Sequence, residues 1–154
     1  VDLDAYDFIA AVNNLDNKVV SAVAELHFTL NPARIPNHVK CVAKSIVVPS
    51  IEIVPSLFRT DYEKATNILF YPASLGADER GLESELCSLL YPLSLEYALN
   101  VICSICGPGV SVDLLGFEGY GGSGALFDMN QNVLDEMRHK ANVDLTFIGK
   151  TSYA

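Results

Sequence analysis

The sequence predicts an α/β fold: a Rossmann-like, three-layer domain with a mainly parallel sheet and helices on both faces. Short apolar runs recur along the chain (YDFIAAV, SIVVP, TNILFY, VDLL), and they are nearly continuous in hydrophobicity instead of alternating. Strands buried on both faces of a parallel sheet have that pattern. Stretches with helical spacing lie between several of these runs, as parallel crossover connections require. The chain has 154 residues, of which 50% are hydrophobic and 19% charged. That length is enough for one domain with a substantial core, and no repeat or linker divides it, so residues 1–154 are read as one unit.

Tyr6–Val12 reads as a buried strand closed by the turn chemistry of Asn13-Asn14 and Asp16-Asn17. In Ala22–Leu30 the residues Ala24, Leu26 and Phe28 would share one face of a strand. Asn31-Pro32 ends that run, because a residue before proline is pushed out of the helical region. Pro36 is suited to the first position of a short helix through about Ala43. Ser45–Pro49 is a β-branched strand, whereas Pro55 marks Ile51–Phe58 as a loop or ragged edge. Thr66–Tyr71 is the next buried strand, stopped by Pro72.

Asp78–Leu90 is expected to be a short helix ending before Pro92. Ser94 is placed as N-cap of a second helix, with Leu95, Ala98, Leu99, Ile102 and Ile105 on a single face. Gly107-Pro108-Gly109 ends it, and a strand over Val112–Leu115 follows. Met129–Lys140 is a polar amphipathic helix that would bury Val133, Leu134 and Met137, and Val143–Ile148 is the last strand.

The formal net charge is −9, and the ten Lys and Arg residues are scattered singly. A nucleic acid backbone needs a cationic footprint, so nucleic acid is excluded as a partner. No apolar run approaches the ~20 residues that span a bilayer. VDLDAYDF is acidic and lacks the basic and apolar regions of a signal peptide. Cys41, Cys87, Cys103 and Cys106 sit inside apolar segments, which predicts reduced, buried thiols and a cytoplasmic location.

The strongest chemical signal is Gly116-Phe117-Glu118-Gly119-Tyr120-Gly121-Gly122 at the end of a strand. Glycines permit left-handed backbone and close approach to a ligand, and ligands of open α/β sheets lie at the carboxyl ends of strands. Glu118 could accept a pair of ribose or sugar hydroxyls there, or bind a metal with help; an ordinary packing turn would have the same composition. The spacing is neither a Walker loop nor a dinucleotide fingerprint. Asn13 is a second candidate, since an amide both donates and accepts, although turns also favour asparagine.

Cys103 and Cys106 form a C-x-x-C pair in the last turn of a helix, where the dipole disfavours thiolate, so packed core thiols are expected there. No second pair completes a zinc site. His27, His38 and His139 have no metal-binding or triad spacing, and no cofactor is required by the sequence.

The order FIAAVNN, LHFTLNPAR, an amphipathic helix, VDLLGFEGYGG, Asn130, Glu136-Met137 and KTSYA resembles the Rossmann-like C-terminal domain of 4-hydroxy-2-oxovalerate aldolase and hydroxymethylglutaryl-CoA lyase-like proteins. In that domain the corresponding stretches run roughly IAVN, FFSNPKR, LAGFDGY, N-x-E-M and LTPTKY. The order is also similar to that of bacterial sialyltransferase-like nucleotide-sugar folds. Position by position, the resemblance implies a ligand-binding set of Asn13, Asn31, Arg34, Gly116, Glu118, Gly119 and Tyr120. Glu118 stands where the family has aspartate, one methylene shorter, and the terminal motif is only loosely kept as Lys150-Thr151-Ser152-Tyr153.

The family's catalytic barrel, with its metal ligands and base, has no counterpart in these residues. The resemblance therefore implies an accessory or ligand-binding domain, lacking its first strand or forming part of a longer protein, with a cleft over Asn13 and Glu118 for a nucleotide or sugar-nucleotide. A glycosyltransferase-like enzyme and a protein-interaction module are the alternatives. The partners these readings allow are a small-molecule ligand, an upstream barrel or a second copy of the chain.

Overall fold

The computed structural model describes residues 2–12, 24–28, 30, 45–49, 67–75, 87–89, 93–117, 122–140 and 142–153. The chain divides into two compact units, Val1–Ser74 and Leu75–Ala154. It is an α/β chain with parallel strand pairing in both units, consistent with a Rossmann-like architecture.

The first unit opens with a 3-10 turn at Leu3–Ala5, where the Asp2 carboxylate accepts the Asp4 N–H at 3.2 Å. Four strands follow: β1 (Ala10–Val12), β2 (Leu26–Phe28), β3 (Ser45–Val48) and β4 (Asn67–Phe70). They form one parallel sheet in the order β1-β2-β3-β4, with Ala11, His27, Ile46 and Ile68 in one row. Successive strands are separated by 13, 16 and 18 residues (13–25, 29–44 and 49–66), enough for parallel crossovers, which need about a dozen. The order does not reverse, so these four strands contain no topological switch point of the kind that holds ligands in doubly wound sheets.

All four residues of β3 are buried, so both faces of that strand are covered. In β2 the expected inner residue Phe28 is fully buried, but so is His27 on the opposite face. Burial of side chains on both faces is why Ala22–Leu30 shows no clean alternation. β4 departs from expectation: Leu69 and Phe70 are 44% and 47% exposed, so TNILFY is not buried on both faces. It ends the sheet's order and has one strand neighbour among the described residues. The expected helix at Pro36–Ala43 and loop at Ile51–Phe58 lie outside the described residues.

β5 (Ala73–Leu75) runs across the division between the units. β6 (Cys87–Leu89) is a strand, where a helix over Asp78–Leu90 was expected; residues 76–86 of that range lie outside the described set. β6 packs against helix α1 (Ser94–Cys106), and such packing overrides a weak local helix preference. β7 (Ser111–Leu115), helix α2 (Ala125–Lys140) and β8 (Asp144–Ile148) complete the unit. β7 and β8 pair in parallel from Ser111↔Asp144 to Leu115↔Ile148, which makes β7–α2–β8 a βαβ unit.

The core of this unit joins Leu95, Leu99 and Cys103 of α1 to Val133, Leu134 and Met137 of α2, with Val143, Leu145 and Tyr153. The α2 residues are those its amphipathic spacing selects. α2 nevertheless begins four residues earlier than expected, the Gly124 carbonyl accepting the Asp128 N–H at 3.0 Å. Beyond its end, Asn142 takes φ +51°, a left-handed conformation that asparagine tolerates.

α1 differs more. Its N-cap is Leu93, without a side-chain cap, and Ser94 is already helical. The predicted apolar face fails at Ile105, which is 65% exposed, while Glu96, Tyr97, Asn100 and Val101 are buried as well. The first two turns are thus enclosed all round. Asn100 Nδ2 donates to the Glu96 carbonyl at 2.9 Å and Ser104 Oγ to the Asn100 carbonyl at 2.8 Å, satisfying polar groups that would be costly to bury otherwise. Among the described residues no helix is long and apolar enough to cross a membrane.

Candidate functional site

The glycine-rich segment belongs to the βαβ unit. β7 alternates, with Val112 and Leu114 half-buried toward the core and Ser111, Asp113 and Leu115 exposed, so it too is not buried on both faces. At its carboxyl end Gly116 turns the chain at φ +73°, and a Cβ added there would meet nothing within 4 Å. Glycine is required at this position by backbone conformation alone. Gly122 and Gly124, at φ +79° and +96°, lead into α2.

The parallel register sets the end of β8 beside that of β7, Leu115 against Ile148. β8 also ends on a left-handed glycine, Gly149 at φ +98°, followed by exposed Lys150 and Ser152. Two neighbouring strand ends therefore turn sharply on the same side of the unit. The chains after them meet: a Cβ on Gly122 would stand 4.0 Å from the Ser152 Cβ.

Beneath these turns lies an aromatic stack that spacing alone did not reveal. The Tyr153 ring lies 5.4 Å from Phe117, 4.9 Å from Phe127 and 6.2 Å from Phe147, in near-parallel planes. The Arg138 guanidinium stands 5.9 Å from the Phe147 ring centre and also approaches Asp135 at 3.7 Å. Asp128 occupies the first turn of α2, where its charge offsets the positive end of the helix dipole.

Gly116 is the one predicted site residue that falls among the described residues, and it sits at the turn expected for it. Asn13, Asn31, Arg34, Glu118, Gly119 and Tyr120 lie outside them. The signal for the second turn was present in the sequence: IGKTSY, like LLGFE, places a glycine directly after an apolar strand.

The C-x-x-C pair needs one correction. Cys103 is buried, as expected, but Cys106 is exposed, because the last turn of α1 emerges from the core where Ile105 does. Burial, with a smaller contribution from Cys106, pushes the Cys103 thiol up to about 11. That is the opposite of the shift that activates a thiol. Among the described residues no three His, Cys, Asp or Glu side chains gather where they could hold a metal ion.

No protein-family model matches this sequence, and no curated protein or solved structure matches it significantly.

Proposed function

We propose that this chain is a ligand-binding α/β domain that takes a nucleotide or sugar-nucleotide at the carboxyl ends of β7 and β8, as an accessory domain of an aldolase-like protein. One observation carries the binding reading: two adjacent parallel strands each end on a left-handed glycine, Gly116 and Gly149, in front of the start of α2. Backbone at such turns approaches a ligand closely, and carboxyl ends of strands are where α/β sheets bind. Glu118 supplies a hydroxyl acceptor in the same segment, and Lys150 a cation directly after Gly149. The net charge of −9, with its cations scattered singly, disfavours an extended polyanion such as a nucleic acid.

Calorimetry with a panel of nucleotides and nucleotide-sugars tests the proposal. A dissociation constant on the order of micromolar is expected for at least one of them, weakened about tenfold or more by Glu118→Ala. No heat with any member of the panel overturns it.

A second reading has its own observation. Leu69 and Phe70 are exposed on β4, which has one strand neighbour among the described residues, and an apolar strand with an unpaired edge pairs readily with another chain. Self-association seen by light scattering supports that reading, and a clean monomer at high concentration counts against it.

A further inference from the structure

We infer that Cys103 and Cys106, in the last turn of α1, form a dithiol site that closes to a disulfide after the exposed Cys106 exchanges with a low-molecular-weight disulfide. The two residues are three apart in one helix, so their Cβ atoms are neighbours, about 5–6 Å apart. Their surroundings differ sharply. Cys103 is 6% exposed and belongs to the core with Leu95 and Leu99 of α1 and Leu134 and Met137 of α2, whereas Cys106 is exposed. A small disulfide reagent therefore meets Cys106 first, with Cys103 as its covered neighbour.

The position in the helix suits closure. Cys106 is the final residue of α1, and Gly107, at φ +82°, ends the helix by donating its N–H to the Cys103 carbonyl at 2.8 Å. No helical turn beyond Cys106 restrains it. A disulfide needs Cβ atoms about 4 Å apart, and tightening a terminal turn toward 3-10 geometry, which eclipses positions i and i+3, draws them together. The Cys106 thiolate attacks one sulfur of the reagent RSSR, forming Cys106–S–S–R and releasing RS⁻, which takes up a proton. Cys103 then passes its proton to water, its Sγ attacks the Cys106 Sγ, and the second RS⁻ leaves. Two protein thiols are oxidised while RSSR is reduced to two RSH. Capping Cys106 also removes the negative charge that helps hold the proton on Cys103, so the first exchange eases the second. Because Cys103 belongs to the core shared by α1 and α2, closure ties the redox state of the pair to the packing of those helices.

Oxidised glutathione at pH 8, followed by intact-mass and fragmentation mass spectrometry, tests this. The full chain carries Cys41→Ser and Cys87→Ser so that only this pair can close, and the parent chain is used if that background does not fold. The expected product is the chain short of two hydrogens, with the bond mapped to Cys103 and Cys106, after a transient single glutathione adduct. Cys103→Ala should stop at a stable adduct on Cys106, and Cys106→Ala should gain its adduct on Cys103 about tenfold or more slowly. A persistent adduct on Cys106 while Cys103 is present overturns the inference. So does a dimer linked through Cys106, or equal adduct rates in the two alanine variants. The readout needs no nucleotide, so it stands or falls separately from the calorimetric test.

Discussion

β3 and β7 look alike as apolar runs and are buried very differently. SIVV is buried at every position, whereas SVDLL alternates between half-buried and exposed. β3 has a parallel neighbour on each edge, while β7 pairs with β8 alone among the described residues. The difference shows what an apolar run does and does not specify. Hydrophobicity marks a strand as part of a parallel sheet, but its place in the strand order sets how much of it is enclosed. It also separates two tasks. The interior strand stabilises its sheet, and the less enclosed one leads into the glycine-rich segment.

The sharpest test of this contrast is truncation in the interior strand. Ile46→Ala removes a fully buried side chain and should cost about 2–5 kcal/mol of stability by urea denaturation. Next in size is the thiol on α1. With its proton held up to about 11, against an ordinary value of 9.0, Cys103 should alkylate at pH 8 about a hundredfold more slowly than an ordinary thiol. Mass spectrometry should find Cys106 modified before Cys103. The same shift should make stability fall as pH rises from about 9 toward 11, because the unfolded thiol ionises before the folded one. An upward trend in urea midpoints across that window would contradict the burial of Cys103.

Gly116→Ala should cost about 1 kcal/mol, since the added methyl meets open space and only the left-handed backbone resists it. Leu115→Thr, on the exposed side of β7, should change stability by no more than about 0.5 kcal/mol. A loss there as large as at Ile46 would mean the exposed side of β7 is covered, and the contrast would collapse.

Much of the fold was legible because its periodicities are local. Val133, Leu134 and Met137 fall on one stripe of a helix and are buried together. The β-branched run at Ser45–Val48 and the glycine after Leu115 also state their roles without reference to distant residues. What was not legible depends on neighbours. Glu96 and Asn100 lie off the apolar face that the spacing selects, yet α1 is enclosed on the side that carries them. Cys87–Leu89 is short enough that packing against α1, not propensity, decides its state. The candidate site was half legible. Gly116 announced its turn, but the partner turn at Gly149 becomes meaningful only once the register sets Ile148 beside Leu115. The Tyr153 stack joins residues that no spacing rule connects.

The unreversed order β1-β2-β3-β4 also bears on how the first unit can be made. Each strand pairs with the one synthesised immediately before it, after an intervening stretch of no more than 18 residues (49–66). The entropic cost of closing such stretches rises only slowly with their length, and none of the four described strands must wait for a segment made much later. The sheet can therefore grow edge by edge as the chain leaves the ribosome, in the direction of synthesis. A sheet whose order reversed would instead hold an early edge open until a distant strand arrived, exposing it to the wrong partners in the meantime.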